Sequence, residues 1–513
     1  MKARIKDELC RYPSHYVSLF VLFAIGCGLR LYYVLTAIAD GDELSSYLSF
    51  ASRKLSFCLS NYDPNNHPLN SLLVHMTTRA FGNSLPVIRI WVFVCGVAAM
   101  PLIYVIIRKI YNKEAAILGV ALTASSFALV LYSSTARGYS LQVCLYLLLI
   151  LVAIRIKETG KGWVWFVIII SLGFYALITF LYFVAGVFLW LLISAWRNDT
   201  YTERSVFIKK LVFYTALAAV ATGILYTPFI LQSGLNSIID NSISKSLALS
   251  DFIRNTPGVI SGTYRFWSYD VRFFIYPILF AGFALSIILN KKISRAKANL
   301  PLAVLIGAVL VFVAQRRIPF SRVSVPFLPL FFGCASAGLY FVVHSLLDRV
   351  RTRRSHVVRP YYLSLLSVGL AVILLIMVFP GVSYHGNKPF LWEYPGMNYP
   401  TIARLIKSRL HEDDLVCSNL LNSINLTYYF EREGIPLEHL YKNLKEVRTL
   451  PPADVKRVLI VTDLGYGSLA STVEDCNLEF NSSLVSSESW YNNDRRVAYS
   501  LFQIMVIPLE NAK

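Results

Sequence analysis

Three carboxylates stand within four positions of the chain, at Asp40, Asp42 and Glu43. They directly follow a long apolar run, so the sequence places them at the mouth of a membrane-spanning helix. A carboxylate whose pKa is tuned by partial burial there can act as a general base toward a hydroxyl group. The alternative is an acidic cap on a helix that begins near Leu44. The spacing by itself favours the cap.

Two arginines stand in short segments that join later apolar runs. Arg137 lies in a turn with Gly138 and several hydroxyls, which suits the binding of a phosphate group. An interfacial arginine beside Tyr139, as part of an aromatic belt, explains it equally. Arg322 ends a stretch with two further arginines, Arg316 and Arg317, on the side of the membrane where other loops carry fewer cations. This local excess indicates an anionic ligand, although a short loop can tolerate it.

Two further basic residues are candidates for substrate binding. His67 precedes Pro68, which suits the first turn of a helix, and it can bind a metal, hydrogen-bond a substrate or merely cap that helix. Arg30 lies inside the first apolar run, where a charge costs several kcal/mol and is functional by default. It stands ten residues before Asp40, or about 15 Å along a helix. Snorkelling toward the headgroups is the competing account.

The elements that must position these residues are apolar runs near 20 residues long, the length of a helix that crosses a bilayer. The chain is 56% hydrophobic and 15% charged, against about a quarter charged in soluble domains. Continuous runs rather than alternating ones favour helices over a barrel. The sequence predicts about eleven spans, at about 16–38, 86–107, 114–134, 138–154, 163–178, 180–196, 207–231, 271–290, 299–314, 323–347 and 361–380.

The distribution of lysine and arginine predicts the orientation, because cytoplasmic loops carry the excess. It places the N-terminus in the cytoplasm of a multi-pass inner (plasma) membrane protein and turns residues 39–85, 135–137, 232–270 and 315–322 outward. An odd number of spans also places 381–513 outside, where the pattern predicts a small α/β domain. The chain therefore divides into a transmembrane module, 1–380, with its first outer loop at 39–85, and an extracytoplasmic domain, 381–513.

Charge and cysteine content exclude two other classes of partner. The net charge of +19 sits mostly at the ends of apolar runs, so the positive-inside pattern explains it and nucleic-acid binding is not predicted. No pair of cysteines is separated by two residues, which argues against a structural zinc site. Acids and arginines on one side of a membrane suit either a transferase with a phosphate-activated donor or an anion transporter.

The order of these motifs resembles the GT-C glycosyltransferases of the protein O-mannosyltransferase-like class, which is glycosyltransferase family 39 with bacterial relatives such as the aminoarabinose transferases. The resemblance is strongest over about 25–155, is weaker to about 345 and does not cover the C-terminal domain. The residues that carry it are Asp42-Glu43, Asn66-His67-Pro68-Leu69, Leu72-Leu73-Val74-His75, Phe81-Gly82-Asn83-Ser84, Arg89, Tyr132-Ser133, Ala136-Arg137-Gly138-Tyr139, Arg322, Pro326 and Pro329.

The resemblance implies transfer of a sugar, usually with inversion, from a polyprenyl-phosphate donor to a glycan, lipid or protein acceptor outside the cytoplasm. By match, Asp42 is the general base, and Arg137 and Arg322 stabilise the anionic leaving group. Relatives often carry an acid where this chain has Thr135, so no metal ligand is assigned. The sequence assigns no cofactor, and a divalent metal is the one candidate.

Two other functions remain open from the sequence. A transporter or flippase of an anionic lipid-linked substrate would need similar charges, but such proteins often show internal repeats and broken helices, and neither is clear here. A polymerase or ligase of lipid-linked glycans would carry its large outer loop late in the chain, whereas this chain has it after the first span. The transferase is the favoured prediction.

Overall fold

The computed structural model describes residues 13–37, 39, 41–239, 245–268, 275–350, 399–418, 420–441, 457–463 and 502–508. The chain divides into two compact units. The first combines Met1–Leu35 with Leu55–Val382, and the second combines Thr36–Lys54 with Ser383–Lys513. The short segment after the first span therefore belongs to the same unit as the C-terminal part of the chain.

Helices make up most of the described residues. In chain order the α-helices are α1 Pro13–Thr36, α2 Gly41–Ser46, α3 Leu55–Ser60, α4 Pro68–Phe81, α5 Leu85–Ile88, α6 Ile90–Ile110, α7 Lys113–Ser125, α8 Phe127–Tyr132, α9 Tyr139–Thr159, α10 Trp163–Ala176, α11 Leu181–Trp196, α12 Arg204–Ser233, α13 Leu235–Ile239, α14 Leu249–Trp267, α15 Ile275–Ile288, α16 Asn290–Ile293, α17 Leu300–Gln315, α18 Leu328–Val350, α19 Tyr399–Lys407 and α20 Leu420–Glu433. A π-helix covers Tyr47–Ala51, and 3-10 helices cover Ile178–Phe180, Ser321–Phe327 and Leu437–His439.

Ten of the eleven predicted spans coincide with helical segments, and the run 361–380 lies outside the described residues. Among the described residues, six helical segments are long and apolar enough to cross a membrane: Ser14–Thr36, Ile90–Ile110, Tyr139–Thr159, Ile178–Trp196, Arg204–Ser233 and Ser321–Leu346. Three shorter apolar helices are α10, α15 and α17. A multi-pass membrane protein is therefore the interpretation that the fold supports, while the count of eleven stays a prediction.

One predicted span, 114–134, is broken into two helices. Ser126 has an extended backbone (φ −63°, ψ 122°) between α7 and α8. A second break falls at Leu177 (φ −161°, ψ 135°), next to the bend that the sequence predicts near Thr179. Broken helices at membrane depth need other groups to satisfy the freed carbonyls. In this chain Arg30 donates to the carbonyls of Thr123 and Ala124 at the first break, and Gln142 Nε2 donates to the Leu177 carbonyl at the second.

Glycines set how closely the membrane helices of the first unit approach. A Cβ placed on Gly119 of α7 would lie 2.9 Å from the Cα of Gly333 in α18, so only glycine allows this contact. The same close approach occurs at the pairs Gly186–Gly307 and Gly282–Gly338. Small residues at helix crossings are typical of membrane bundles, where packing rather than hydrophobic burial drives association.

The second unit combines helices with a three-stranded sheet. The strands are β1 Asp414–Ser418, β2 Arg457–Asp463 and β3 Phe502–Pro508, in the order β1-β2-β3. Strand β1 pairs with β2 in parallel, with Asp414 opposite Arg457, and β2 pairs with β3 in antiparallel. Helices α19 and α20 pack together, and the rings of Tyr399 and Tyr429 stack between them at 6.4 Å.

Candidate active site

A short loop before α4 presents His67. Asp63 shapes it through a side-chain bond from the Asn65 N–H (2.8 Å) and a backbone bond from the Asn66 N–H (2.8 Å). Asn66 fixes the loop to its surroundings, because its Nδ2 donates to the Asn61 carbonyl and its Oδ1 accepts from Ser71. His67 is then the N-terminal flanking residue of α4, and Pro68 occupies the first turn as expected. The helix that the sequence predicts after His67 is confirmed, and it runs from Pro68 to Phe81.

The turn between α8 and α9 presents Arg137. This guanidinium group is buried, with 4% of its residue surface exposed. Its Nη1 donates to Asn65 Oδ1 at 2.5 Å, and its Nη2 lies 3.4 Å from His67 Nε2. Asn65 adjoins the predicted His67, yet it is not among the predicted site residues. Its amide oxygen orients the arginine, a role that only the fold reveals.

Gly138 lets the two segments approach. Its backbone N–H donates to His67 Nδ1 at 2.7 Å. A Cβ at this position would lie 2.9 Å from the Ala176 carbonyl oxygen and 3.1 Å from His67 Nδ1. The glycine is therefore required by space rather than by its backbone angles. The same residue that begins the α9 turn also fixes the imidazole ring.

These contacts define the tautomer of His67. A backbone N–H can only donate, so Nδ1 must carry no proton and the neutral ring must carry its proton on Nε2. Burial of the imidazole, then the charge of Arg137 and then that of Arg322 hold the pKa of His67 well below its usual value, so the ring is neutral at pH 7. Nε2–H and the Arg137 Nη2 group are then both donors. Their 3.4 Å approach cannot be a hydrogen bond between them.

Arg322 contributes a second guanidinium to this region. It is half-buried in the Ser321–Phe327 helix, and its guanidinium lies over the ring of Phe320 at 4.5 Å. Its charge acts on His67, as does that of Arg137. The structure therefore brings together three predicted site residues from segments far apart in the chain: His67, Arg137 and Arg322.

Aromatic rings form one wall of the same region. Tyr139 is buried and meets the His67 ring edge-on at 5.5 Å, and it packs on Tyr132 at 4.8 Å. Tyr132 in turn contacts Phe266 of α14 at 6.2 Å. Tyr139, a predicted substrate-binding residue, thus lies beside the imidazole. Rings of this kind exclude water and strengthen the local electrostatics.

Arg30 satisfies backbone carbonyls of the broken helix. It is fully buried, and its guanidinium donates to the carbonyls of Gly26 (3.0 Å), Thr123 (3.0 Å) and Ala124 (3.1 Å). The last two lie at the break between α7 and α8, where helical partners are missing. These bonds give Arg30 a structural role that the sequence did not predict. Its role in substrate binding stays a prediction.

Asp42 and Glu43 lie on α2 in the second unit, and Asp40 lies outside the described residues. Asp42 is half-buried, whereas Glu43 is almost fully buried, with 1% exposed. Both are in the first turn of the helix, where carboxylates are favoured by the helix dipole. The capping and the catalytic interpretations of Asp42 both stay open on this geometry. The predicted pocket shared by Asp42, Arg137 and Arg322 stays a prediction.

The position that departs from the family pattern does not offer a ligand. The hydroxyl of Thr135 is buried and donates to the Leu131 carbonyl at 3.1 Å. Across the part of the chain that the structure describes, no three His, Cys, Asp or Glu side chains are grouped so as to hold a metal ion. A dependence on a divalent metal stays a prediction.

Comparison with known proteins identifies the fold. The sequence model of the family described as dolichyl-phosphate-mannose-protein mannosyltransferase matches residues 64–226, about a third of the chain. The structure of ArnT from Cupriavidus metallidurans in the apo state matches with a TM-score of 0.59 at 12% identity, over 95% of this chain and 97% of that one. The chain has the fold of the GT-C glycosyltransferases.

Two further structures share the GT-C fold with this chain. ArnT from the same organism bound to undecaprenyl phosphate matches with a TM-score of 0.55 at 12% identity, over 95% and 97% of the two chains. The oligosaccharyltransferase AglB from Archaeoglobus fulgidus, in complex with an inhibitory peptide and a dolichol-phosphate, matches with a TM-score of 0.52 at 13% identity, over 88% and 70%. The search of curated proteins finds no match.

The match to the family model locates the GT-C resemblance within the chain. Its range, 64–226, contains His67, Arg137 and Tyr139 but neither Asp42 nor Arg322. The resemblance to the GT-C class that the sequence predicts is confirmed. The His67 loop and the Arg137 turn, which contact each other, both lie in the matched part.

Proposed function

We propose that this protein is a membrane glycosyltransferase that moves a sugar from a polyprenyl-phosphate donor to an acceptor outside the cytoplasm. The observation that carries the proposal is the pair of donors at His67 and Arg137. His67 Nε2–H and Arg137 Nη2 lie 3.4 Å apart, and both face this region as hydrogen-bond donors. An anionic oxygen between them can accept a hydrogen bond from both groups, and a bond from a guanidinium group to an anion is stronger than one to a neutral acceptor.

The donors of the site suit the oxygens of a phosphate. Two guanidinium groups, those of Arg137 and Arg322, act on His67, and the neutral imidazole adds a donor without adding a third charge. A phosphate that leaves with a double negative charge matches two cations and a neutral donor.

The proposed reaction is a single displacement. The Asp42 carboxylate takes the proton of the acceptor hydroxyl as its oxygen bonds to the anomeric carbon. The bond from that carbon to the phosphate oxygen breaks, and its electron pair leaves with the polyprenyl phosphate. The leaving group is already anionic, so it needs cations rather than a proton. One displacement at carbon inverts its configuration, which is the stereochemistry that we propose.

The relatives support the class of donor. The ArnT structure contains undecaprenyl phosphate, and the AglB structure contains a dolichol-phosphate with a peptide. We extend the polyprenyl-phosphate donor to this chain and propose a glycan, lipid or protein acceptor. The apolar faces of the membrane helices would hold the prenyl tail. We also propose the plasma membrane as the location, with a cytoplasmic N-terminus and residues 381–513 outside.

The test is a panel of polyprenyl-phosphate sugars with the purified protein in detergent, scored by the release of free polyprenyl phosphate. We expect release with at least one donor and release that is about 100- to 10,000-fold slower after Asp42→Asn, with polyprenyl-phosphate binding kept in the variant. Turnover by Asp42→Asn at the wild-type rate would remove Asp42 as the base. Movement of an intact donor across proteoliposomes, without release of phosphate, would favour the transporter, which no finding supports at present.

A further inference from the structure

The segment that carries Asp42 is too short to be stable by itself. Helix α2 has six residues and is followed directly by a five-residue π-helix, Tyr47–Ala51. Isolated helices shorter than about 12 residues are marginal in water, and π-helical turns are rare and less favourable. The conformation around Asp42 therefore depends on what packs against it.

Within the second unit, α2 packs against α20 of the C-terminal part of the chain. The ring of Tyr47 meets that of Tyr428 edge-on at 6.1 Å and 88°. The backbone at Gly41 runs close to Asn425, since a Cβ there would lie 3.7 Å from Asn425 Nδ2. Tyr428 of α20 thus contacts the far end of the short segment, and Asn425 of α20 lies close to its near end.

Tyr428 lies where Glu43 and Tyr47 converge. Burial raises the pKa of the Tyr428 phenol, the charge of Arg432 lowers it, and Tyr429, Glu43 and Tyr47 raise it by smaller amounts. Glu43 and Tyr47 are four positions apart, so they project from the same side of a helix. Asp42 precedes Glu43 by one residue, about 100° around the helix, and it is half-buried where Glu43 is 1% exposed. Glu43 and Tyr47 form the anchored face, and Asp42 stands beside it.

We propose that Tyr428, on α20 of the C-terminal part, is a positioning residue that holds Asp42 in place for catalysis. This inference rests on the proposed function, because it assumes that Asp42 is the base. It gives the C-terminal part a task in the reaction itself. The docked helix keeps the carboxylate at a fixed angle, and a shift of about 1 Å in a catalytic group can cost about 100-fold in rate.

The test compares two tyrosines that are neighbours on the same helix. Tyr428→Ala removes the ring that meets Tyr47, whereas Tyr429→Ala removes a ring that stacks on Tyr399 of α19. We expect Tyr428→Ala to lower kcat for sugar transfer by 10-fold or more, up to about 100-fold. Binding of undecaprenyl phosphate should change less than twofold. Tyr429→Ala, at comparable thermal stability, should keep kcat within threefold.

A cross-link between α2 and α20 distinguishes a loss of position of α2 from a loss of folding. Gly41→Cys with Asn425→Cys places two thiols at the near end of the α2–α20 contact, where a Cβ at position 41 would lie 3.7 Å from Asn425 Nδ2. In the Tyr428→Ala background, oxidation of this pair should restore at least part of kcat, and reduction should remove it again. Rescue of this kind reports position, because a simple loss of protein would not respond to the cross-link.

The outcomes separate the two proposals. If wild type releases no polyprenyl phosphate from any donor, the proposed function fails and the positioning role fails with it. If wild type is active but Tyr428→Ala and Tyr429→Ala have equal kcat, the positioning role is wrong while the transferase stands. An equal loss of kcat in both variants, with no rescue by the cross-link, likewise contradicts the positioning role of Tyr428.

Discussion

The tautomer of His67 can be tested by two substitutions that each replace the function of one imidazole nitrogen. The Oδ1 of His67→Asn occupies the place of Nδ1 and can still accept the Gly138 N–H, which now bonds at 2.7 Å. It provides no donor at the position of Nε2. The amide of His67→Gln reaches the position of Nε2 and can donate there, but it leaves the Gly138 N–H without its acceptor.

The expected effects follow from the two lost bonds. A hydrogen bond to a charged group contributes about 1.5–3 kcal/mol, so His67→Asn should weaken polyprenyl-phosphate binding by roughly 10- to 150-fold, at about 1.4 kcal/mol for each factor of ten. A buried N–H left unsatisfied costs about 1–3 kcal/mol. His67→Gln should therefore lower the free energy of unfolding by that amount and keep most of the affinity.

The assays are equilibrium binding of a polyprenyl phosphate in detergent and thermal unfolding of the same preparations. The proposed donor role is refuted if His67→Asn binds as tightly as wild type, because Nε2–H then contacts no anion. The assigned tautomer is refuted if His67→Asn is the less stable of the two variants, because the proton would then lie on Nδ1. Arg137→Lys keeps the positive charge but loses the planar guanidinium group. It serves as the reference for how much polyprenyl-phosphate affinity is lost when a neighbouring donor of the same site is changed.

The pH dependence of stability gives an independent check on the neutral ring. Burial, with help from Arg137 and Arg322, lowers the pKa of His67 in the folded state. The unfolded chain therefore binds a proton below about pH 6.5 while the folded chain does not. Stability from this residue is fully present above that pH and is lost as the pH falls toward the folded pKa, by at most about 1.4 kcal/mol per pH unit. His67→Asn should remove this part of the slope between about pH 7.5 and 5.5.

Three further substitutions probe other parts of the chain. Asp42→Asn should lower kcat by about 100- to 10,000-fold, the usual contribution of a general base, with polyprenyl-phosphate binding unchanged in the same preparation. Gly138→Ala should weaken that binding, because its Cβ would lie 2.9 Å from the Ala176 carbonyl oxygen and 3.1 Å from His67 Nδ1, whereas Gly223→Ala, whose Cβ meets nothing within 4 Å, should not. Arg30→Met should lower the free energy of unfolding by about 1–3 kcal/mol, since it leaves buried carbonyls without a donor. A loss of polyprenyl-phosphate affinity in folded Arg30→Met would instead support the substrate-binding role.

The membrane helices could be predicted from sequence because their signal is local. A continuous apolar run near 20 residues long leaves the backbone one way to satisfy its polar groups, and ten predicted spans fall on helical segments. The break at Ser126 could not be predicted in this way, because both sides of it are apolar. What decides that break is Arg30, about 95 residues earlier, whose guanidinium replaces the missing helical donors.

The same distinction between local sequence signals and long-range contacts applies to the site residues. His67, Arg137 and Arg322 could be chosen because each is a cation or titratable group in a short segment between apolar runs. The role of Asn65 depends on a contact with Arg137 over 72 positions of sequence, and no local pattern predicts it. Helix α20 packs against α2 and α19, and no local pattern predicts its contact with α2, which lies about 380 positions earlier in the chain.

The neutral state of His67 explains how two guanidinium groups can share one small region. A protonated imidazole beside Arg137 and Arg322 would add a third like charge in a buried place, which is costly. The Gly138 N–H opposes protonation, because a proton on Nδ1 would break a 2.7 Å bond. The ring therefore offers a directed donor without a charge, and the site keeps two positive charges over the pH range in which His67 stays neutral. In the proposed reaction the leaving phosphate would meet two guanidinium groups and one neutral donor, and the direction of that donor depends on the backbone bond that sets the tautomer.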